Sequence, residues 1–386
     1  MEETHAVSHP VTEALGGAPM LRRLLLLATV TVLVAGGCSQ TDEAAVEGAS
    51  TSTTIVTAGG GDFLGVQVDG VTVPDAKGAV MVAIAETDGT IAYASKGSDS
   101  AGSPLTPDEV FRIGSITKMF TAALMLLLVD DGLVDVDSLV SEYVTRVRVP
   151  DGVTVRNLLE HTSGIPDYTD SPAGPFREPW DDPEHIWTPE ETIGLIDGEE
   201  PLSEPGAVIG YSNTNYIILG VLIEEVTGLP FEAVLRSRIL DPLELEHTYL
   251  AGLEEGPEPF GAYTNVDGST EPIDFDYTAV ATAAWAAGGL VSSVADLHAM
   301  LDALFEGSLV STGSLAAMVD SRIYAFGLVK YANFGEVYGH PGGIPGYTTT
   351  VMHAPETGKT AVWVTTNNSI NPNSAVKPVA EYITQP

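Results

Sequence analysis

Cysteine is almost missing. Cys38 is the single one in 386 residues, which excludes an intramolecular disulfide and a cysteine-built metal cluster. Basic residues are scarce too: 16 Lys and Arg stand against 53 Asp and Glu, a formal net charge of −37. That balance excludes nucleic-acid binding, which needs a positive footprint, and electrostatic docking on an anionic membrane. It fits a solvated acidic surface. Metal-ligand spacing is lacking as well. The one His-x-x-x-His pair, His5 and His9, lies ahead of Met20, read below as the initiator, so no metal is expected and no other cofactor is called for. No internal repeat is visible. What remains is an ordinary globular composition, with 44% hydrophobic residues, enough for a large core.

The chain opens on an export pattern. Met20-Leu-Arg-Arg precedes an apolar and threonine run from Leu24 to Ala35, and small residues lead to Cys38. A basic start, a short apolar core and a small-residue exit make a signal peptide over 1–38. Glu2, Glu3, Pro10 and Glu13 suit such a start poorly, so Met20 is read as the initiator. Val34-Ala-Gly-Gly-Cys38 looks like a bacterial lipobox, although Ala35 stands where a larger aliphatic residue is usual. Cys38 is therefore expected to carry lipid, the chain's sole link to a membrane, with plain secretion as the alternative. Residues 39–62, rich in Thr, Ser, Ala, Glu and Gly, read as a flexible tether, and 63–386 as the folded domain.

That domain is organised around Phe111 to Gly132. Ser115 and Lys118 open a long apolar run dominated by Leu, Met and Ala, ended by Asp130, Asp131 and Gly132. These residues form helices well, and a helix apolar on every side belongs in the middle of a domain. It is too short to span a membrane, which takes about 20 apolar residues. Positions three apart share a helix face, so the hydroxyl and the amine would meet at the N-terminus. A desolvated lysine there can take a proton from serine. A second Ser-x-x-Lys, Ser374 to Lys377, has no apolar helix behind it and is read as coincidence.

Apolar runs at 78–85 and 90–95 flank a turn ending in Asp88-Gly89 and read as a β-hairpin. Helices are expected over 153–161 with a threonine cap, 214–228, 231–245, after the turn at 287–293 to Phe305, and over 373–384. Strands are expected over 324–329, 347–353 and 360–366. Residues 171–205, rich in Pro, Asp and Glu, read as an irregular or helical surface region. Strands at both ends with helices between imply an α+β domain: an antiparallel sheet made from both chain ends and flanked by helices, with an inserted, mainly helical subdomain.

Two further clusters carry polar groups. Tyr211-Ser-Asn213 offers a phenol and an amide from one short turn. His340-Pro-Gly342-Gly343 sets a histidine beside a glycine-rich edge, where backbone can approach a ligand. Taken singly, Tyr211 could be core, Asn213 a helix cap and His340 a turn residue.

Ser-x-x-Lys, Tyr-x-Asn and His-x-Gly in that order resemble the three motifs of the serine β-lactamase and penicillin-recognising superfamily, over about residues 79–368. The 111–167 stretch, with Phe-Arg-x-Gly-Ser-x-Thr-Lys and later His-x-Ser-Gly before Asp-Tyr, is most similar to secreted serine-type D-alanyl-D-alanine carboxypeptidases. The resemblance implies a β-lactamase/transpeptidase-like fold with the Ser115 helix at the junction of its two parts. It implies Ser115 as acyl-forming nucleophile, Lys118 as base and Tyr211 as proton shuttle. It also implies Asn213, His340, Gly342 and Gly343 as substrate-binding residues, with the N–H groups of Ser115 and Gly343 as the oxyanion hole.

The scaffold hosts peptidases, β-lactamases, esterases and amidases, and analogy does not choose among them. Pro341 stands where the carboxypeptidases have a threonine that helps hold the substrate carboxylate. No Arg or Lys occurs between Arg238 and Arg322 to do so instead, which leaves His340 and Arg112. An exported monomer acting on a small molecule or a cell-wall peptide through an acyl-enzyme is the resulting expectation, with neutral esters favoured. A non-catalytic surface protein that binds cell-wall peptides or penicillin is the alternative.

Overall fold

The computed structural model describes residues 54–56, 61–73, 77–176, 182–266, 269–274, 276–320, 323–370 and 373–386. The signal peptide, the lipobox and Cys38 lie outside the described residues. Along the chain come β1 (Thr54–Val56), α1 (Gly61–Asp69), β2 (Gly78–Ala85), β3 (Ile91–Ser98), β4 (Phe111–Arg112), α2 (Thr117–Asp130), α3 (Val155–Leu159), α4 (Pro189–Gly194), α5 (Asn213–Thr227) and α6 (Phe231–Leu235). Then follow β5 (Tyr249–Leu250), β6 (Tyr263–Val266), β7 (Ser269–Pro272), α7 (Thr278–Gly288), β8 (Leu290–Ser292), α8 (Val294–Phe305) and α9 (Thr312–Met318). The chain closes with β9 (Tyr324–Ala325), β10 (Leu328–Lys330), β11 (Tyr338–Ile344), β12 (Tyr347–Ala354), β13 (Lys359–Thr365) and α10 (Asn373–Ile383).

One antiparallel sheet, ordered β1-β3-β2-β13-β12-β11-β10-β9, is built from both ends of the chain. Its two halves join where β13 pairs with β2, Thr365 opposite Val80 and Thr360 opposite Ala85. Every residue of β2 is buried because both faces of the sheet are covered. Val80, Val82 and Ile84 pack with Leu64 and Val68 of α1 and Val379 and Ile383 of α10. Ala79, Met81 and Ala83 face the larger core that holds α2. The side-chain period of two thus sorts one apolar run into two cores.

The inserted helical part lies between β3 and β9. Its centre is α2, whose residues from Thr117 to Leu126 are all buried. Thr154 caps α3 with a reciprocal Thr154–Asn157 capping box, and Thr188 does the same for α4 with Glu191. Such pairs satisfy backbone donors that a helix start leaves open.

Several expectations are corrected. Ser115 sits not in the α-helix but in a 3-10 turn, Gly114–Ile116, that leads into it. The expected helix over 231–245 stops being α-helical after Leu235 and continues as a π-turn from Arg236 to Leu240. The expected strand over 324–329 is two short strands, because Phe326 (φ 35°) and Gly327 (φ 80°) turn the chain back. Gly327 is required there: a Cβ would lie 2.7 Å from Lys118 O. Folded structure also starts ahead of residue 63. β1 pairs with β3, Thr54 opposite Ser95, and α1 starts at Gly61. Glycine and threonine content disguised both elements as tether. The helix α7 and strand β8 were not anticipated, since the alanine-rich 278–288 run carries no polar face to mark it.

Candidate functional site

Ser115 stands where α2 meets β11. The turn that carries it is pressed against the strand at two glycines. A Cβ on Gly114 (φ 50°) would fall 2.8 Å from Gly343 N, and one on Gly342 would fall 2.0 Å from Ile113 O. No side chain fits in either gap, so these glycines set the approach of β11 to the serine. A Cβ on Gly343 would meet open space instead.

One turn on, Lys118 is fully buried. Its Nζ donates to Ser115 Oγ at 3.1 Å, Asn213 Oδ1 at 2.7 Å and Ala287 O at 2.6 Å. Desolvation draws its pKa down to about 7, against the charge of Asp167, which pulls the other way. The Ala287 carbonyl is aimed by a distorted stretch of α7. Trp285, buried at φ 32° and ψ −124°, breaks the helix just before it, a conformation uncommon for a bulky residue. Thr121 Oγ1 ties the same stretch to α2 through Ala286 O at 2.7 Å.

On the other side, Tyr211 donates its hydroxyl to Ser115 Oγ at 2.9 Å. The residue is 42% exposed overall, and desolvation of the phenol raises its pKa although the bond to Ser115 opposes this. Ser212 and Asn213 follow at the start of α5. Asn213 Nδ2 donates to Asp167 Oδ2 at 2.8 Å, which leaves Asn213 Oδ1 for the lysine. The Ser212 backbone N–H donates to His161 Nδ1 at 3.2 Å, and Asn215 Nδ2 lies 3.1 Å from the same atom. With Nδ1 accepting, the neutral ring carries its proton on Nε2, which lies 3.1 Å from Tyr324 Oη. Tyr324 then donates to Tyr216 and Tyr216 to Leu159 O, both at 3.2 Å. Burial first, then the Lys118 charge, holds His161 well below the usual histidine pKa. Its ring also packs on Tyr211 with centroids 4.3 Å apart.

Hydrogen bonds thus link Tyr211 to Ser115, Ser115 to Lys118 and Lys118 to Asn213, with Gly342 and Gly343 beside the serine turn. His340, expected with Arg112 to hold a substrate carboxylate, has surroundings that do not suit that task. It is 2% exposed, and burial and the Lys118 charge draw its pKa down to about 3. Its Nδ1 lies 2.5 Å from Pro341 O, while its Nε2 is buried without a partner. A buried, neutral ring cannot hold a substrate carboxylate by charge. Arg112 is committed elsewhere: its guanidinium lies 3.7 Å over the Tyr277 ring. There it lines a cavity of about 330 Å³ together with Glu258 and Asp276.

Three participants carried no sequence signal of their own role. The Ala287 carbonyl is backbone, and its aim depends on the Trp285 kink. His161 ends the helix expected over 153–161 and Asp167 lies beyond it, and only the fold brings the two onto the Tyr211–Asn213 turn. Among the described residues no group of His, Cys, Asp and Glu could hold a metal ion, and no helix is long and apolar enough to cross a membrane.

A family model described as Beta-lactamase matches residues 69–381. Among curated proteins, "Penicillin-binding protein 4*" of Bacillus subtilis is 27% identical over 283 residues, 68% of this chain and 61% of that protein. The chain therefore spans about three fifths of that relative's length. A "Putative D-alanyl-D-alanine carboxypeptidase" of Salmonella enteritidis is 26% identical over 320 residues, 72% of this chain and 71% of that one. Among solved structures, a D-stereospecific amidohydrolase from Streptomyces sp. superposes with a TM-score of 0.70 at 29% identity, covering 83% of this chain and 96% of that one.

Proposed function

The chain belongs to the Beta-lactamase family, in the serine β-lactamase and penicillin-recognising superfamily, and from that premise we propose that it is an exported serine hydrolase that forms an acyl-enzyme on Ser115. One observation carries the reading. Ser115 Oγ lies 3.1 Å from a buried lysine amine and 2.9 Å from a tyrosine hydroxyl, and the amine is brought to a pKa of about 7 by desolvation. A base poised near the working pH is what nucleophile activation needs.

Neutral Lys118 takes the proton as Ser115 Oγ bonds to the acyl carbon of an ester or amide. The developing oxyanion is held by the N–H groups of Ser115 and Gly343. The proton returns through Tyr211 to the leaving alcohol or amine as the bond to it breaks. Water then repeats the sequence on the acyl-serine and releases the acid. Asn213 holds the lysine in place and offers its amide to the substrate.

The relatives are named for penicillin binding, D-alanyl-D-alanine carboxypeptidase and D-stereospecific amidohydrolase, which supports an acyl donor related to D-amino acids. Against a free C-terminal carboxylate stand Pro341, which has no N–H or hydroxyl to donate, and the buried, neutral His340. Neutral acyl esters and amides are therefore the favoured substrates, and a cell-wall peptide bearing a free carboxylate the poorer one. Export with Cys38 as lipid anchor, and action as a monomer, complete the proposal. The test is intact-mass analysis after exposure to a penicillin and to a nitrophenyl ester. The wild type should gain one acyl group and Ser115→Ala none. A wild type that binds penicillin without gaining mass would establish the non-catalytic binder instead.

A further inference from the structure

Asp167 takes no part in the acylation steps above, yet one amide joins it to the base. Asp167 Oδ2 accepts from Asn213 Nδ2 at 2.8 Å, and Asn213 Oδ1 accepts from Lys118 Nζ at 2.7 Å. Asp167 Oδ1 accepts from the Thr169 backbone N–H at 3.0 Å. Both carboxylate oxygens thus face donors, the pattern of an ionised group; burial raises the Asp167 pKa above the usual carboxylate value, and the Thr169 and Asn213 hydrogen bonds and the Lys118 charge oppose that rise. An asparagine side chain has one acceptor end and one donor end. With the donor end on Asp167, the acceptor end is turned to the lysine.

The other titratable groups around the lysine come from three elements. His161 follows α3, His340 lies on β11, and Tyr211 and Tyr216 flank or belong to the start of α5. Both histidines are held neutral by burial, and both phenols are raised by desolvation and keep their protons. Among these groups Asp167 is the one that brings a formal negative charge.

We propose that Asp167 is a positioning residue for the base: acting through Asn213, it fixes the amide against Lys118 and sets how firmly Lys118 keeps its proton. In the resting site ammonium and carboxylate form a neutral pair bridged by the amide. Loss of the lysine proton leaves the carboxylate uncompensated. Removing the carboxylate therefore makes the proton easier to lose, and the lysine titrates at lower pH. The inference deepens the proposed function and rests on it for its consequence in turnover. The ionisation itself is measurable without any substrate.

The experiment labels the lysine side chains of the full chain with carbon-13 and follows their shifts with pH. Loss of one signal in Lys118→Arg assigns Lys118, and Lys77, Lys96, Lys330, Lys359 and Lys377 serve as internal controls. In Asp167→Asn, which keeps the shape and can still accept a hydrogen bond, the Lys118 midpoint should fall. An opposite charge at about 4–6 Å commonly shifts a pKa by one unit or more, so a fall on the order of one pH unit is expected, with the other lysines unmoved. Asp167→Glu should restore most of it. The acid limb of kcat/KM for a nitrophenyl ester should move the same way. An unchanged Lys118 midpoint in Asp167→Asn overturns the inference, as does a uniform loss of kcat/KM with the limb in place, which marks Asp167 as structural only. A midpoint that falls in a protein whose Ser115 never acylates leaves the inference standing and sinks the hydrolase reading.

Discussion

At the scale of single residues, the proposed reaction turns on who holds one proton. Lys118 loses its hydration inside the core, and its pKa drops from the usual lysine value to about 7. Below that pH the amine is protonated and cannot accept from Ser115; above it the free amine can. The kcat/KM of a nitrophenyl ester should therefore climb with pH through about 7 and level off, and a flat profile down to pH 5 would remove Lys118 as the base. Ser115→Ala should abolish turnover. Lys118→Ala should lower it by roughly 10²–10⁴-fold, the usual worth of a positioned acid or base, with folding checked by thermal melting. On the proposed reading, Pro341 sets the selectivity. Pro341→Thr supplies an N–H and a hydroxyl on β11 and should narrow the preference for a nitrophenyl ester over diacetyl-lysyl-D-alanyl-D-alanine. A charged hydrogen bond is worth about 1.5–3 kcal/mol, so the ratio of the two kcat/KM values should move roughly ten- to a hundredfold. A wild type that already favours the peptide refutes this account of Pro341.

At the scale of elements, the site is aimed by helix contacts that side-chain chemistry does not advertise. Gly220 of α5 faces α7, where an added Cβ would lie 2.6 Å from the Trp285 ring and 2.7 Å from Ala286 Cβ. These two residues precede the carbonyl that receives Lys118. Gly220→Ala should cost about 1–3 kcal/mol, as overpacking does, and should also lower kcat/KM by shifting Ala287 away from the amine. A variant with an unchanged melting temperature would show that α5 and α7 yield at no cost. What the sequence makes legible follows from the same physics. Ser115, Lys118, Tyr211 and Asn213 sit in short motifs at helix starts, where local spacing already brings polar groups together. The long apolar elements, β2 with β3 and α2 with α5, are marked by hydrophobic pattern alone. The Trp285 kink is not, because backbone strain of that kind is imposed by neighbours in space. Nor is the burial of His340: a histidine beside Gly339 and Pro341 reads as a turn residue until β12 is laid against it, Val351 opposite His340.

At the scale of the whole molecule, charge and chain topology set the limits. With a net charge of −37 the folded surface repels itself, and added salt screens that repulsion. The melting temperature should rise as sodium chloride goes from about 10 mM to about 0.5 M, where the Debye length shrinks from about 30 Å to below 8 Å; a falling one would mean that attractive ion pairs outweigh the excess of carboxylates. Cell fractionation tests the anchor: in a bacterial host the wild type should sediment with membranes, and Cys38→Ser should appear in the soluble fraction.

The seam between β2 and β13 has a consequence in time. The Ala79 N–H donates to Thr366 Oγ1 across 287 positions, and the strand that faces Ser115 is made long after the serine. Synthesis reaches Ser115 early, but the central sheet cannot close until its last strand, β13, has left the ribosome. Contacts so remote in sequence form slowly. Under the proposed export this delay is an advantage, since a polypeptide that cannot complete its sheet stays threadable while it crosses a membrane. It also means that a premature stop anywhere ahead of β13 leaves β2 with a bare, apolar edge, a species that proteases and aggregation would clear.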